Sequence, residues 1–428
     1  MQGLFLFMEI NKLYGIFTQH PTICIDSRKV TPGSLFFALK GDNFNGNVFA
    51  ENALINGAAY AVIDQSEFEK DSRYILVHDV LSSLQKLANH HRRNMTIPVL
   101  AITGSNGKTT TKELCRDVIQ KIYKTNATSG NLNNHIGVPL TILKTELEHE
   151  FLIVEMGANH QGEIEALCHI AEPDYVMITN IGKAHLEGFG GIEGIKKGKS
   201  EMYRYAANQH RKIFINSDDE TLCSLLPPNV EIVKYSASEL VKISVEDPFL
   251  EFEYTGNTIA TQIYGIYNVP NIAFAIAAGE YFGIKCDDII DAISAYLPEN
   301  NRSQIIKSGT NKIIKDAYNA NPSSMKPSIE SFAKMTANNK VLILGDMLEL
   351  GEYSDEEHAQ IIKLTKDLGF KNVIFIGENF DSVKDIYHGV YFIDISEAKK
   401  YFITQQYNNT LILLKGSRGI AVENIISE

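Results

Sequence analysis

One short segment limits what this chain can fold into more than any other. Residues 97–103 form an apolar strand pattern, and the turn at residues 103–110, TGSNGKTT, follows it directly. A helical pattern that we expect to start near Lys112 comes next. Glycines in such a turn let backbone amides curl round phosphate oxygens, and the helix N-terminus adds positive potential. The segment predicts an α/β domain with a nucleotide loop.

The same turn carries side chains suited to a nucleoside triphosphate. Lys108 is expected to bridge the terminal phosphates, and the Thr109 hydroxyl is expected to ligate Mg²⁺. The turn is shorter than the usual Walker pattern, which would need a glycine at Ile102. The alternative is a plain glycine turn with a solvated lysine. The predicted ATP-binding residues of this loop are Gly104, Ser105, Asn106, Gly107, Lys108, Thr109 and Thr110.

Alternating apolar runs and helical patterns predict an α/β protein of three domains. We expect a small mixed α/β domain over residues 1–80, a central parallel-sheet P-loop domain over 81–298, and a Rossmann-like α/β domain over 299–428. A length of 428 residues suits this number of domains. Residues 245–263 favour antiparallel strands, and residues 298–301 are a predicted linker.

Composition and charge exclude several classes of protein. Lysine and arginine number 40 against 52 acidic residues, and the net charge of −12 argues against a nucleic-acid partner. We found no apolar run of the roughly 18 residues that a membrane span needs, and the first five residues lack the basic region of a signal peptide. The five cysteines are too far apart for a zinc or redox site. We therefore expect a cytoplasmic protein with reduced thiols.

Further segments share the chain with the nucleotide loop, in a fixed order. They are residues 26–28 (DSR), 33–36 (GSLF), 40–41 (KG), 130–134 (GNLNN), 155–159 (EMGAN), 180–187 (NIGKAHLE), 316–322 (DAYNANP), 345–351 (GDMLELG) and 415–419 (KGSRG). With a loop of the form G-x-x-G-K-T, the sequence resembles the Mur ligase family over nearly its whole length. The last three segments resemble the branch that adds D-alanyl-D-alanine.

The resemblance implies an ATP-dependent ligase that joins D-alanyl-D-alanine to UDP-N-acetylmuramoyl-tripeptide through an acyl phosphate, for peptidoglycan synthesis. It also implies two Mg²⁺ ions and a carbamylated Lys199. Glu155 and His185 each follow a predicted strand, where α/β sheets bind ligands. From the sequence alone, Glu155 reads equally as a helix-capping carboxylate, His185 as a loop histidine and Lys199 as one of a solvated basic run. The expected metal ligands are Thr109, Glu155, His185 and Lys199.

Other substrate contacts also follow from the resemblance. Asn268 and Asn271 are expected at the nucleotide, with turn and N-cap roles as the alternative. Arg302 and Asp316 are expected to reach ATP when the domains close; with Lys108, Lys199 and His185 they form the predicted catalytic set. The predicted UDP-substrate contacts are Ser27, Arg28, Lys40, Gly41, Asn131, Asn133 and Asn134. The predicted dipeptide contacts are Tyr318, Asn319, Asn321, Lys415, Ser417 and Arg418.

Two other functions stay open at this point. The first keeps the ligase chemistry but uses an earlier muramoyl peptide, or folate with glutamate. The second is a P-loop ATPase whose outer domains bind a protein or regulate the ATPase. For the favoured function we expect small-molecule substrates only and a monomeric chain. The third amino acid of the acceptor peptide is not determined by the sequence.

Overall fold

The computed structural model describes residues 8–299, 301–386 and 389–426. The five opening residues considered above for targeting, and Asn300 of the predicted linker, lie outside this part. Within it the chain forms three α/β units, each built on its own parallel or mostly parallel sheet. This architecture is the predicted one, and the exact boundaries after residues 80 and 298 stay predictions.

The first unit is a small parallel sheet with strand order β1-β2-β5-β6 and a separate two-stranded hairpin, β3-β4. Its elements are α1 (Ile10–Gln19), β1 (Ile23–Cys24), β2 (Leu35–Phe37), β3 (Lys40–Gly41), β4 (Phe44–Asn45), α2 (Ala50–Ile55), β5 (Tyr60–Ile63) and β6 (Tyr74–Leu76). The strands β2 and β5 are almost wholly buried, as expected for inner parallel strands.

The central unit is a six-stranded parallel sheet with strand order β12-β11-β10-β7-β9-β8. Its elements up to β12 are α3 (Val80–Arg93), β7 (Val99–Thr103), α4 (Lys108–Ile119), β8 (Thr125–Ala127), α5 (Gly137–Leu143), β9 (Phe151–Glu155), α6 (Glu163–Ala171), β10 (Tyr175–Ile178), α7 (Leu186–Phe189), α8 (Ile192–Lys199), α9 (Glu201–Asn208), β11 (Lys212–Asn216), α10 (Glu220–Ser224) and β12 (Ile232–Tyr235). Every residue of β7 and β9 is buried, which places these strands in the core.

An antiparallel sheet and three helices complete the central unit. They are α11 (Ala237–Leu240), β13 (Lys242–Val245), β14 (Glu251–Tyr254), β15 (Asn257–Ala260), α12 (Val269–Tyr281) and α13 (Cys286–Ala295). The antiparallel strands predicted between residues 245 and 263 are thus present, and they begin three residues earlier. Apolar side chains cover nearly the whole of α12, which packs against α4. The nucleotide-loop helix is therefore held between the sheet and a second buried helix.

The third unit has strand order β16-β17-β21-β18-β19-β20, in which only β16 pairs antiparallel. Its elements are β16 (Gln304–Ser308), β17 (Asn311–Lys315), α14 (Pro322–Lys334), β18 (Asn339–Gly345), α15 (Ser354–Asp367), β19 (Val373–Ile376), α16 (Glu378–Ser382), β20 (Val390–Phe392), α17 (Ile395–Thr404) and β21 (Thr410–Lys415). A capping box formed by Asn321 and Ser324 begins α14 at the edge that faces the central unit.

One element differs from the sequence prediction in a way that bears on function. Helix α4 begins at Lys108, not near Lys112, so the lysine of the glycine-rich turn is already the first helical residue. Residues 109–111 (TTT) have β-branched side chains that lower helix propensity, so the sequence pattern indicated a helix start further along the chain. Burial of Thr109 and Thr111 against the sheet overrides that propensity. The helix N-terminus therefore lies directly at the loop.

Candidate active site

A cavity of about 1050 Å³ opens between the central and third units, at the carboxyl ends of their parallel strands. It is lined by most of the residues predicted for the site. They are Ser105, Asn106, Gly107, Lys108, Thr109, Thr110, Asn131, Asn133, Asn134, Glu155, His185, Asn268, Asn271, Arg302, Asp316, Tyr318, Asn319, Asn321 and Lys415. Side chains spread over some 300 residues of sequence are thus gathered in one place.

Two glycines shape the loop that borders this cavity, and Gly107 also lines it. Gly104 and Gly107 have φ angles of +143° and +79°, conformations that side chains with a Cβ rarely adopt. A Cβ on Gly104 would lie 1.9 Å from Oγ1 of Thr179, and a Cβ on Gly107 would lie 2.5 Å from Oδ1 of Asn271. The loop therefore needs glycine at both positions. It forms a backbone cradle of the kind that holds phosphate oxygens.

Lys108 lies at the start of α4 with its amine folded over the loop. Its Nζ donates hydrogen bonds to the carbonyl oxygens of Gly104 and Ser105, at 2.7 and 3.2 Å. Burial lowers the pKa of Lys108 to about 8, with nearby Arg302 acting in the same direction and Glu155 opposing it. The amine is therefore a poorly solvated cation at neutral pH, suited to an anionic ligand.

Thr109 and Glu155 face each other beneath the loop. Oγ1 of Thr109 donates a 2.9 Å hydrogen bond to Oε2 of Glu155, and Nδ2 of Asn133 donates one of 2.7 Å to the other carboxylate oxygen. The carboxyl group is almost completely buried at the end of β9, and the threonine is 4% exposed. This hydroxyl and carboxylate are the oxygen donors that Mg²⁺ prefers. Glu155 does not cap a helix, so the alternative role considered from sequence is wrong.

Asn268 and Asn271 lie beside the loop and are both buried. Oδ1 of Asn271 accepts a 2.9 Å hydrogen bond from Oγ1 of Thr111, and its Nδ2 donates a 2.8 Å bond to Oδ1 of Asn268. Neither amide makes a capping bond to α12, since Asn268 occupies the cap position without accepting from a backbone N–H of the helix, and Asn271 is already inside the helix. The N-cap alternative is therefore wrong. The chain of amides ties the loop helix to α12.

His185 lies in the loop between β10 and α7 and contacts the third unit. Its Nδ1 hydrogen-bonds to Oε2 of Glu349, and this contact lowers the pKa of the glutamate. The imidazole also lines the cavity. His185 is thus tied to a carboxylate from a different domain, not simply packed in a loop.

Lys199 is the last residue of α8 and is 1% exposed. Its Nζ donates a 3.2 Å hydrogen bond to the carbonyl oxygen of Ala158 and lies 5.2 Å from the ring centre of Phe189. Burial, and next the charge of Lys108, hold the pKa of Lys199 well below its ordinary value. The side chain is not in the cavity lining and does not belong to a solvated basic run. Lys199 differs in this from the exposed Lys197.

Arg302 and Asp316 enter the cavity from the third unit. The guanidinium of Arg302 stacks 3.6 Å from the ring centre of Tyr318, and its buried Nε has no hydrogen-bond partner among the described residues. Asp316 accepts hydrogen bonds from Ser328 at 3.0 Å and from Lys415 at 2.7 Å. An oriented arginine with an unused donor is suited to a phosphate.

Some predicted residues are not brought to this cavity. The side chain of Arg28 pairs with neighbouring Asp26 and that of Lys40 with Asp64, both in the first unit. Ser417 is buried between the backbones of Ala320 and Leu348. The predicted site residues outside the cavity lining are Ser27, Arg28, Lys40, Gly41, Gly104, Lys199, Ser417 and Arg418. No structural observation tests their predicted roles, which stay predictions.

The cavity also contains residues to which no role was assigned from sequence. Asn180 holds Asn106 at both ends, since its Oδ1 accepts from the backbone N–H and its Nδ2 donates to the carbonyl at 3.0 Å. Asn180 lies just after β10, much as Glu155 lies at the end of β9, and that position was the available signal. Further lining residues without an assigned role include Gln85, His135, Asn159, Glu163, His169 and Ser323.

No helix among the described residues is both long enough and apolar enough to cross a bilayer. Those residues also contain no group of three or more His, Cys, Asp or Glu side chains placed to hold a metal ion.

Family models match three consecutive parts of the chain. Residues 21–102 match the model described as Mur ligase family, catalytic domain; residues 102–279 match the Mur ligase middle domain; and residues 301–418 match the Mur ligase, glutamate ligase domain. Together these matches cover most of the sequence and all three units.

Individual proteins are similar over almost the full length. The chain is 35% identical to UDP-N-acetylmuramoyl-tripeptide--D-alanyl-D-alanine ligase of Bacillus subtilis (strain 168), over 95% of this chain and 92% of that one. The ligase of the same name from Escherichia coli (strain K12) is 31% identical, with 94% and 92% covered. A crystal structure of MurF from Acinetobacter baumannii superposes with a TM-score of 0.87 at 28% identity, covering 98% and 97%. Thermotoga maritima MurF in complex with ADP gives 0.84 at 27% identity, covering 96% and 97%.

Proposed function

This chain belongs to the Mur ligase family, and we propose that it joins D-alanyl-D-alanine to UDP-N-acetylmuramoyl-tripeptide with consumption of ATP. The acceptor carboxylate attacks the γ-phosphorus, ADP leaves, and an acyl phosphate forms. The dipeptide amine then attacks the acyl carbon, loses a proton, and expels phosphate as the amide bond forms. The observation that carries this proposal is the meeting of the glycine-rich loop with Arg302 and Asp316 in one cavity.

The loop and its neighbours bind the nucleotide. Lys108 exchanges its two backbone carbonyl contacts for phosphate oxygens, which restores a strong partner to a poorly solvated cation. Ser105, Asn106 and Thr110 present the rest of the cradle, and Asn268 and Asn271 lie on its far side. Support for nucleotide binding comes from the ADP bound to the related Thermotoga maritima protein.

The buried oxygen donors below the loop suit Mg²⁺. A bound ion would offset the repulsion between the carboxylate and the triphosphate and polarise the γ-phosphorus. Thr109 and Glu155 would hold one ion beside the phosphates. Glu155, His185 and a modified Lys199 would hold a second. The observation in favour is the nearly complete burial of the Thr109–Glu155 pair at a strand end, where an anionic carboxylate needs a cation.

Carbamylation would convert Lys199 into such an anionic ligand. A neutral amine attacks CO₂, a nitrogen–carbon bond forms, and one proton is released. Because burial holds the pKa of Lys199 well below its ordinary value, a larger share of this amine is neutral and nucleophilic than for a solvent-exposed lysine. The Phe189 ring beside Nζ excludes water from the amine. A buried lysine with a purely structural role would be expected to pair with a carboxylate. The hydrogen-bond partner of Nζ in Lys199 is instead the backbone carbonyl of Ala158.

The third unit supplies the groups that recognise ATP and the incoming dipeptide. Arg302 would bind developing negative charge on the transferred phosphoryl group with its free Nε. Asp316, which is paired with Lys415, would help to position the ATP. Tyr318, Asn319 and Asn321 line the cavity where the dipeptide amine must approach. Ser417 and Arg418 follow Lys415 closely in the sequence, and we assign them to binding of the dipeptide carboxylate.

The first unit holds the uridine diphosphate end of the acceptor. Arg28 and the half-exposed Lys40 supply the cations, while Ser27 and Gly41 allow a close approach of the diphosphate. Asn131, Asn133 and Asn134 then line the path of the muramoyl peptide into the cavity. The substrates are small molecules made in the cytoplasm, where we place the enzyme as a monomer.

Product formation tests this function directly. Purified protein is supplied with ATP, Mg²⁺, UDP-N-acetylmuramoyl-tripeptide and D-alanyl-D-alanine, and the mass of the nucleotide product is measured together with phosphate release. We expect the pentapeptide, with phosphate release that requires both acceptor and dipeptide and is abolished in Lys108→Ala. Product only with a single amino acid, or with folate and glutamate, would indicate another ligase. ATP hydrolysis indifferent to both substrates would indicate an ATPase with regulatory outer domains.

A further inference from the structure

Among the described residues, Glu349 is the one whose side chain hydrogen-bonds to the imidazole of His185. Glu349 belongs to the third unit and His185 to the central unit. The glutamate lies in the loop between β18 and α15, whereas the histidine follows β10. A second bond supports the contact, because the backbone carbonyl of Glu349 accepts from the N–H of Glu187 at 3.2 Å. Glu349 therefore contacts the His185 segment through both its side chain and its backbone carbonyl.

Both partners are held in an unusual backbone conformation. His185 has a φ of +57° and Glu349 a φ of +63°, in the left-handed region that residues with a Cβ seldom occupy. Such a conformation persists only where surrounding contacts determine it, and it is concentrated at functional sites. Two of the eleven non-glycine residues with a positive φ among the described residues are therefore in direct contact with each other. This indicates that their meeting is a built feature of the fold.

The Glu349 loop is fixed to the core of its own unit. The N–H of Met347 donates a 3.0 Å hydrogen bond to Nε2 of the fully buried His358, and the N–H of Leu348 donates one of 2.9 Å to Oγ of Ser417. Ser417 in turn donates its own N–H to the carbonyl of Asp346. The carboxylate of Glu349 is thus presented from a rigid base and moves with the third unit as a whole.

The contact determines the state of the imidazole. A carboxylate only accepts hydrogen bonds, so Nδ1 of His185 is the donor, and in the neutral imidazole the lone pair is then on Nε2. A histidine that acts as a ligand is commonly oriented in this way by a carboxylate. We propose that Glu349 is a positioning residue that sets the tautomer and ring orientation of His185 only while the third unit is docked on the central unit.

This inference rests on the proposed function and explains how docking is coupled to chemistry. When the third unit moves away, Arg302 and Asp316 leave the cavity and His185 loses its fixed tautomer in the same movement. The site is then complete only in the docked arrangement. ATP is not activated before the third unit, with its dipeptide contacts, has arrived.

The first test needs no substrate. Ligand-free protein is labelled with ¹⁵N-histidine, and the His185 resonances are assigned by their loss in His185→Ala. In the wild type we expect the Nδ1-protonated tautomer, and in Glu349→Ala a shift toward the Nε2-protonated form that dominates in free imidazoles. Glu349→Gln, which retains an acceptor oxygen, is expected to keep much of the wild-type pattern. Unchanged His185 resonances in Glu349→Ala would overturn the proposal.

The second test is a double-mutant cycle in the ligase reaction. Glu349→Ala is expected to lower kcat by about 10- to 100-fold, the usual loss on removal of an orienting partner, with little change in KM for ATP. In a His185→Ala background the same substitution is expected to have no further effect. Fully additive losses would overturn the proposal. The control is Glu352→Gln, an exposed carboxylate three residues along the same loop, which should leave kcat unchanged.

The two tests separate this inference from the function it rests on. If the wild-type protein makes no pentapeptide, the proposed function fails, while the tautomer measurement still decides whether Glu349 positions His185. If the product forms and the His185 resonances are insensitive to Glu349, the positioning role alone is wrong.

Discussion

Nδ2 of Asn321 donates a 2.8 Å hydrogen bond to Oδ1 of Asn106, and this bond joins the third unit to the glycine-rich loop of the central unit. The amide of Asn106 returns a 3.3 Å bond to Oδ1 of Asn321. The same Asn321 oxygen caps α14 by accepting from the N–H of Ser324. The Asn321 side chain therefore caps a helix of the third unit and hydrogen-bonds to the phosphate loop of the central unit.

We expect Asn321→Ser to weaken catalysis without weakening the fold. Serine is an equally good N-cap, so the free energy of unfolding should change by less than about 0.5 kcal/mol. Serine is too short to reach Asn106, so both hydrogen bonds between the two side chains are lost, and a net loss of about 1 kcal/mol should lower kcat/KM for ATP roughly fivefold. The control Asp394→Ser changes the cap of α17 in the same unit. An equal loss in both variants would contradict the account.

Lys108 is expected to cost stability in the ligand-free protein. Its pKa is lowered from 10.5 to about 8, mainly by burial. Between these values the unfolded chain binds a proton that the folded chain does not, so the Lys108 contribution to stability rises with pH across that window. Below it, the buried cation destabilises the fold. Lys108→Met should therefore raise the free energy of unfolding at pH 7 by on the order of 2 kcal/mol.

Denaturant unfolding at pH 7 and pH 10.5 checks this sign. The gain from Lys108→Met should be largest at pH 7 and should shrink toward pH 10.5, where the wild-type amine is already neutral in the fold. Lys197→Met, at an exposed position, should show no such trend. A gain of equal size at both pH values would mean that packing, not charge burial, is responsible.

Activity is expected to depend on CO₂ through Lys199. Enzyme kept in CO₂-depleted buffer should lose most of its ligase activity and regain it on addition of bicarbonate, because the carbamate forms reversibly. With ¹³C-bicarbonate, a carbamate carbon signal should appear in the wild type and in Lys197→Ala, and be absent in Lys199→Ala. Full activity in CO₂-depleted buffer would exclude the modification as a requirement.

Gly104→Ala should destabilise the central unit. The new Cβ would lie 1.9 Å from Oγ1 of Thr179, which itself donates to the carbonyl of Asn106, at a φ of +143°. We expect a loss of about 1–3 kcal/mol in the free energy of unfolding, as for other overpacked positions. Gly15→Ala is the matched control, since Gly15 lies in α1 with open space around it and should gain up to about 1 kcal/mol. If Gly104→Ala leaves the free energy of unfolding as high as Gly15→Ala does, the predicted clash is refuted.

The three α/β units and the nucleotide loop were readable from sequence because each depends on local pattern. Apolar runs separated by helical patterns predicted the three α/β units, and the turn between β7 and α4 predicted the cradle. Glu155 and His185 were found for the related reason that each lies at or beyond the carboxyl end of a strand of the sheet.

Contacts between units were not readable in the same way. Glu349 and Asn106 meet partners more than 150 residues away, and no local periodicity encodes which loops face each other. Asn180 was missed because an asparagine after a strand is also an ordinary turn residue. For Lys199, only the structure shows that the last residue of α8 is turned inward beside Phe189. Burial of a lysine depends on tertiary packing, which a basic run conceals.

The fate of the acceptor's carboxylate oxygen tests the central claim most directly. UDP-N-acetylmuramoyl-tripeptide is labelled with ¹⁸O in the carboxyl group that becomes the amide, and the released phosphate is analysed by mass spectrometry after a single round of product formation. Attack of that carboxylate on ATP predicts one ¹⁸O atom in each phosphate, in proportion to the pentapeptide formed. Unlabelled phosphate alongside the pentapeptide would contradict the acyl-phosphate route and the chemistry assigned to this cavity.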